Sequence, residues 1–231
     1  MKSFSISKTL ILVSILAVPG FLFFYLLPHF AKNRYKSLPI YGEKKIASTF
    51  HSVKGKKIPD TIYYTVPDFK LINQNKDSIS WKSLENKIVI LNLFYTESPI
   101  KDVAKNIKVL VEEYQKNNLI KFVSISVDPK DTEKISNYSG LENAKAGKWD
   151  LLAGDTTKIY PFIRKGLMLD VIHSEETNGS KFIYSNQMIL LDNQRRIRGY
   201  YDATNADAQS KLTDEIKVLV AEDLRNIKDG R

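Results

Sequence analysis

The chain has 231 residues, 43% of them hydrophobic and 26% charged, with a formal net charge of +9 and no cysteine. That length supports one ordinary globular domain with an appendage. The missing cysteines exclude disulfides, thiol exchange, thiolate nucleophiles and thiolate metal ligands. The positive balance is spread as lysines among acids, the pattern of a solvated surface, and no DNA- or RNA-binding motif accompanies it, so nucleic acid is not an expected partner.

Residues 1–8 are a short basic start carrying Lys2 and Lys8. From Thr9 to Ala31 there is no acid, lysine or arginine, and Leu, Ile, Val, Phe and Ala dominate. The run is long enough to span a hydrocarbon core, so residues 9–31 are expected to form a transmembrane anchor. Tyr25 and His29 suit its interface, and Pro19-Gly20 is a kink that membrane helices tolerate. A cleaved signal peptide is the rival reading; against it stand the length of the run and the lack of a small-x-small site after it. Lys32, Arg34, Lys36, Lys44 and Lys45 follow the run, so flanking charge alone favours a cytoplasmic domain.

Residues 32–60, with Pro39, Gly42, Gly55 and Pro59, read as an irregular tether, and the globular domain as 61–231. Val66–Asn73 reads as a short strand entering a turn at Asn73–Asp77. Ile88–Tyr95 is nearly continuous in apolar residues, like a strand covered on both faces. Val103, Ile107, Leu110, Val111 and Tyr114 follow at helical spacing, with Ser98 as N-cap and Pro99 as first helical residue. A strand over 122–127 completes a right-handed βαβ unit. Short helices are expected from Asp131 and over Thr156–Lys165, and a polar loop from Asp170 to Lys181. Gln187–Leu191 and Ile197–Tyr201 read as a hairpin. The last helix presents Leu212, Ile216, Leu219, Val220, Leu224 and Ile227 on one face. The order is β–α–β–α–α–β–β–α, which gives an α/β fold with a mixed sheet flanked by helices.

Several strings in this order carry a resemblance. They are Val66-Pro67-Asp68-Phe69, the segment from Val123 to Thr132 (similar to S-x-D-P-x-x-D-T), Lys148–Asp155 (W-x-x-L-x-G-D) and Arg196–Asp202 (I-R-G-x-Y-D). Behind one N-terminal anchor they resemble the Sco/SenC family over roughly residues 38–228. Its members are membrane-anchored, thioredoxin-like proteins that help deliver copper to cytochrome c oxidase. The resemblance implies a thioredoxin-like domain on the periplasmic side of the inner membrane, contrary to the lysine count. It also implies oxidase subunits, or a cysteine-bearing Sco-like protein, as partners. The family motif T-x-C-P-x-x-C keeps Thr96 and Pro99 here, but Ser98 and Asp102 stand at the two cysteines, and Tyr184 stands at the ligand histidine. All three positions matching copper ligands are thus replaced, and those left bear oxygen, which does not suit Cu(I).

The expectation is therefore a degenerate, non-catalytic Sco-like binding or assembly factor with no cofactor, no metal and no catalytic residue. Competing readings are a binding module unrelated to oxidases, and a weak oxygen-ligand metal site at Glu97, Asp102 and His173. Capping of the helix is the plainer role for Glu97, Ser98 and Asp102, and a solvated loop the plainer setting for His173. A serine hydrolase at Ser98 lacks the G-x-S-x-G elbow. Arg195, Arg196 and Arg198 form a basic cluster at the hairpin, a solvated turn or a docking patch for an acidic partner. Tyr63, Tyr64, Tyr200 and Tyr201 are read as packing residues.

Overall fold

The computed structural model describes residues 6–26, 37–53, 55–98, 100, 102–138, 147–177 and 180–228. The chain divides into two units, Met1–Lys36 and Ser37–Arg231. In the first, helix α1 (Ile6–Phe21) contains Pro19 and gives way to a π-helical turn, Leu22–Leu26. Ile11, Val13, Ile15, Val18 and Phe21 are exposed on it. Among the described residues no helix is long and apolar enough to cross a membrane. The described helix covers only part of the span expected over 9–31, and residues 27–31 lie outside the described ones. Proline cannot donate its helical hydrogen bond, and the wider π spacing follows it within one turn.

The second unit begins earlier than Thr61. The expected tether holds an antiparallel hairpin, β1 (Lys44–Val53) and β2 (Lys56–Tyr63), largely exposed. Residues just before it are bound to the domain: Tyr41 N–H donates to the Ile197 carbonyl at 2.9 Å, and Leu38 N–H to Glu222 Oε1 at 3.1 Å.

The main sheet is built from β3 (Lys70–Asn73), β4 (Ser78–Ser80), β5 (Ile88–Phe94), β6 (Ile120–Ser126), β7 (Trp149–Ala153), β10 (Gln187–Leu191) and β11 (Ile197–Asp202). Its order is β11-β10-β5-β6-β7-β3-β4, with β5, β6 and β7 parallel and the other pairs antiparallel. Helix α2 (Asp102–Glu113) makes the β5–β6 crossover, and α3 (Asp131–Lys134) and α4 (Thr156–Pro161) are short. Helix α5 (Ala206–Lys228) closes the chain. The expected loop from Asp170 to Lys181 is instead a separate hairpin, β8 (Val171–Thr177) with β9 (Ser180–Tyr184). Within this hairpin His173 pairs in register with Phe182.

Every residue of β5 is buried because both faces of the sheet are covered. Val89, Leu91 and Leu93 meet Phe69, Trp81, Ile163 and Phe182 on one side. Ile88, Ile90 and Phe94 meet Val103 and Ile107 of α2 and Leu212 and Ile216 of α5 on the other. Leu224 of α5 is exposed, so it lies off the buried stripe that its spacing predicts. Gly199 is required by close approach: a Cβ there would collide with the ring of Tyr201, whose hydroxyl donates to Glu215.

Candidate functional site

Strand β5 ends at Phe94 in the interior of the sheet, and the turn after it leaves from the carboxyl ends of the parallel strands. In open α/β sheets this edge is where sites form. The turn is held from inside by Asp131, which is fully buried. Its carboxylate accepts from Thr96 N–H at 2.8 Å, Thr96 Oγ1 at 2.5 Å and Ser126 Oγ at 2.5 Å. Sequence reasoning placed Asp131 as a helix start and within the S-x-D-P-x-x-D-T string, without its partners; its pairing with Thr96 and Ser126 links residues 35 positions apart and five apart.

Ser98 is 5% exposed and does not cap a helix at Pro99, because α2 begins at Asp102. Its hydroxyl is 3.1 Å from the Tyr184 hydroxyl and accepts from Ile100 N–H at 3.3 Å. Two residues 86 apart in sequence are thus brought together. The Tyr184 ring meets Tyr95 edge-on at 5.9 Å, and Tyr95 meets Phe182 at 5.2 Å. Burial pushes the Tyr184 phenol above its ordinary pKa of 10.0, while the bond to Ser98 pulls the other way. Asp102 is exposed in the first turn of α2, where its charge complements the helix dipole.

Glu97 points outward between two lysines. Lys134 and Lys181 each approach its carboxylate at 2.5 Å, and their bonds hold the Glu97 pKa down at about 2. His173 meets the Phe182 ring edge-on at 5.1 Å. Glu97, Asp102 and His173 do not assemble as metal ligands: among the described residues no group of three or more His, Asp or Glu is placed to hold an ion. His51 lies on β1 with Nδ1 2.6 Å from Asp60 Oδ1, and His29 lies outside the described residues.

The arginine cluster is not one exposed patch. Arg198 is 3% exposed and is paired with Asp192 at 3.1 Å and Glu222 at 2.9 Å, while its other bonds reach the carbonyls of Leu38 and Pro39. Arg196 is partly buried, bonded to Asp192 at 2.7 Å and 5.9 Å from the Tyr63 ring. Arg195, at φ 63, takes the left-handed position of the turn. Tyr64 and Tyr200 pack with their hydroxyls donating to the carbonyls of Lys165 and Leu167.

The sequence profile of SCO1/SenC proteins matches residues 60–221. The chain belongs to the SCO1/SenC family. Solved structures of the family share its fold. A SCO1/SenC family lipoprotein from Bacillus anthracis is 20% identical, with a TM-score of 0.56 over 67% of this chain and 95% of that one. BsSco, a member of the Sco family of cytochrome c oxidase assembly proteins with a disulfide switch, is 18% identical, with a TM-score of 0.56 over 67% and 93%. Arabidopsis thaliana ScoI, solved with copper bound, is 20% identical, with a TM-score of 0.54 over 67% and 99%. No curated protein sequence matches the chain.

The donor set at the turn does not fit the family's copper. A serine hydroxyl and a phenol kept protonated by burial are hard, weakly basic oxygens, whereas Cu(I) selects sulfur and imidazole. The hydrogen bond between them takes up one acceptor lone pair, and Ile100 N–H takes up one on Ser98 Oγ. With no cysteine in the chain, a disulfide switch has no sulfur to form it.

Proposed function

We propose that this protein is a Sco-like binding factor for cytochrome c oxidase assembly that has given up copper and thiol chemistry. The observation that carries the reading is the Ser98–Tyr184 pair. At two of the positions that match family ligands, the side chains bond to each other instead of presenting metal donors. Around them the turn keeps its shape through Asp131. A scaffold kept while its reactive atoms are exchanged fits a role in contact with a partner rather than in turnover. The partner is an oxidase subunit or a cysteine-bearing Sco-like protein, which handles the metal.

The domain acts at the inner membrane, on its periplasmic side. The uncharged N-terminal segment, with exposed Ile11, Val13, Ile15 and Val18 on α1, serves as its anchor. Those side chains would be covered by lipid, which accepts a helix apolar all round.

Two measurements test this. Titration of the full-length chain with a chromophoric Cu(I) chelator should show no stoichiometric Cu(I) transfer, while the variant S98C/D102C/Y184H should compete for the metal. Tight one-to-one Cu(I) binding by the wild type, lost in Ser98→Ala and Tyr184→Phe, would overturn the reading. Affinity capture from membranes with the N-terminal segment intact should recover oxidase subunits or a thiol-bearing homologue; recovery of neither removes the assembly role.

A further inference from the structure

A second concave site lies beside the turn and takes no part in the role above. It is a cleft of about 600 Å³ between the β6–α3 turn, the helical segment 156–166 and the β8–β9 hairpin. That volume falls in the range of small-molecule sites, roughly 300–1,000 Å³.

Its walls combine apolar and cationic groups. Tyr160 and Phe182 supply ring surface, and Lys130, Arg164, Lys165 and Lys181 line the cleft with them. Among the described residues the one acid in the lining, Asp128, is 4% exposed and turned into the fold, its Oδ1 accepting from Lys130 N–H at 2.8 Å. Lys181 is shared with Glu97. Among the described residues Arg164 is set in place by a carbonyl and a ring: Nε and Nη2 both donate to the Val171 carbonyl, at 3.2 and 2.7 Å, and the guanidinium stands 5.6 Å from the Tyr160 ring centre. A cation fixed by a carbonyl and an aromatic face keeps its full charge and loses little freedom when an anion arrives. The hydroxyl of Tyr160 is tied to the Val127 carbonyl at 3.2 Å, so the ring is fixed too.

We propose that this cleft binds a small amphipathic organic anion, with a flat apolar body against Tyr160 and Phe182 and a carboxylate or phosphate beside Arg164 and Lys130. The enclosure by three elements favours a compact ligand over an extended peptide. The site is independent of copper and of the Ser98–Tyr184 pair.

The test uses the full-length chain in zwitterionic lipid nanodiscs, with 1-naphthyl phosphate as probe and backbone amide NMR as readout. Saturable shifts are expected at Tyr160, Arg164 and Phe182. The neutral isostere 1-naphthalenemethanol should bind about tenfold more weakly. Lys130→Glu, on an exposed side chain, and Arg164→Glu should each weaken the probe about fivefold or more with the rest of the spectrum retained. Should Arg164→Glu fail to fold, Lys130→Glu alone decides. The proposal is overturned by absence of saturation up to about 10 mM, or by equal binding of the neutral isostere. It is also overturned if the peptide Asp-Glu-Phe-Glu-Asp saturates the same residues at lower concentration, which would assign the cleft to a protein partner.

Discussion

Near the start of β5, Arg198 lies between Asp192 and Glu222 with 3% of its side chain exposed, while beyond its end Glu97 lies between Lys134 and Lys181 with 45% exposed. Both are one charge held by two of opposite sign. The buried cluster closes the β10–β11 turn onto α5 and the Leu38–Pro39 strap. The exposed one sits on the candidate site's rim, where water and salt compete for each charge. The first is thus part of the scaffold; the second shapes the surface a partner meets.

The comparison can be broken by substitution. Arg198→Ala should have the largest effect, about 3–5 kcal/mol in denaturant unfolding, because Glu222 loses its ion-pair partner and Asp192 keeps only Arg196. A loss under about 1 kcal/mol would show that water enters the cluster. Asp131→Ala should cost about 2–4 kcal/mol, since three buried donors lose their acceptor. Tyr184→Phe should cost only about 1 kcal/mol, and a double-mutant cycle with Ser98→Ala should return a coupling of similar size, since one neutral hydrogen bond joins them.

Protonation sharpens the contrast most finely. Burial, then the charges of Asp192 and Glu222, raises the Asp223 pKa to about 6 from 3.8. A raised carboxyl favours folding when protonated, so its contribution is full below pH 3.8 and is lost as pH rises through about 6. Asp223→Asn should flatten that slope in unfolding curves taken between pH 4 and 7. Glu97 runs the other way: held down at about 2, it contributes above its ordinary value of 4.5 and loses that contribution as pH falls through about 2. Glu97→Gln should have the smallest effect of the set, and high salt should erase it.

Much of the fold was legible because it is written in short-range pattern. The nearly continuous apolar run at Ile88–Phe94, the helical stripe of Val103, Ile107, Leu110 and Val111, and the Gln187–Leu191 hairpin all appear where their spacing places them. Strand β7 was missed as an element, though its Trp149–Asp155 string was noticed, because five residues buried on both faces show no period to separate strand from helix. The β1–β2 and β8–β9 hairpins were missed because exposed strands carry polar residues that read as loop.

At the site, the sequence by itself determined which groups are absent: no thiol anywhere in the chain, and hydroxyl or carboxylate oxygen at positions 98, 102 and 184. Chemistry that depends on a functional group missing from the chain needs no coordinates to exclude. Tertiary structure alone decided that Ser98 bonds to Tyr184, that Asp131 locks Thr96, and that Arg198 is buried rather than offered to a partner. Each of these joins segments far apart in the chain, and a side chain's charge or hydroxyl does not reveal whether water or another residue will satisfy it. That choice is made by burial, which the packing of distant strands imposes.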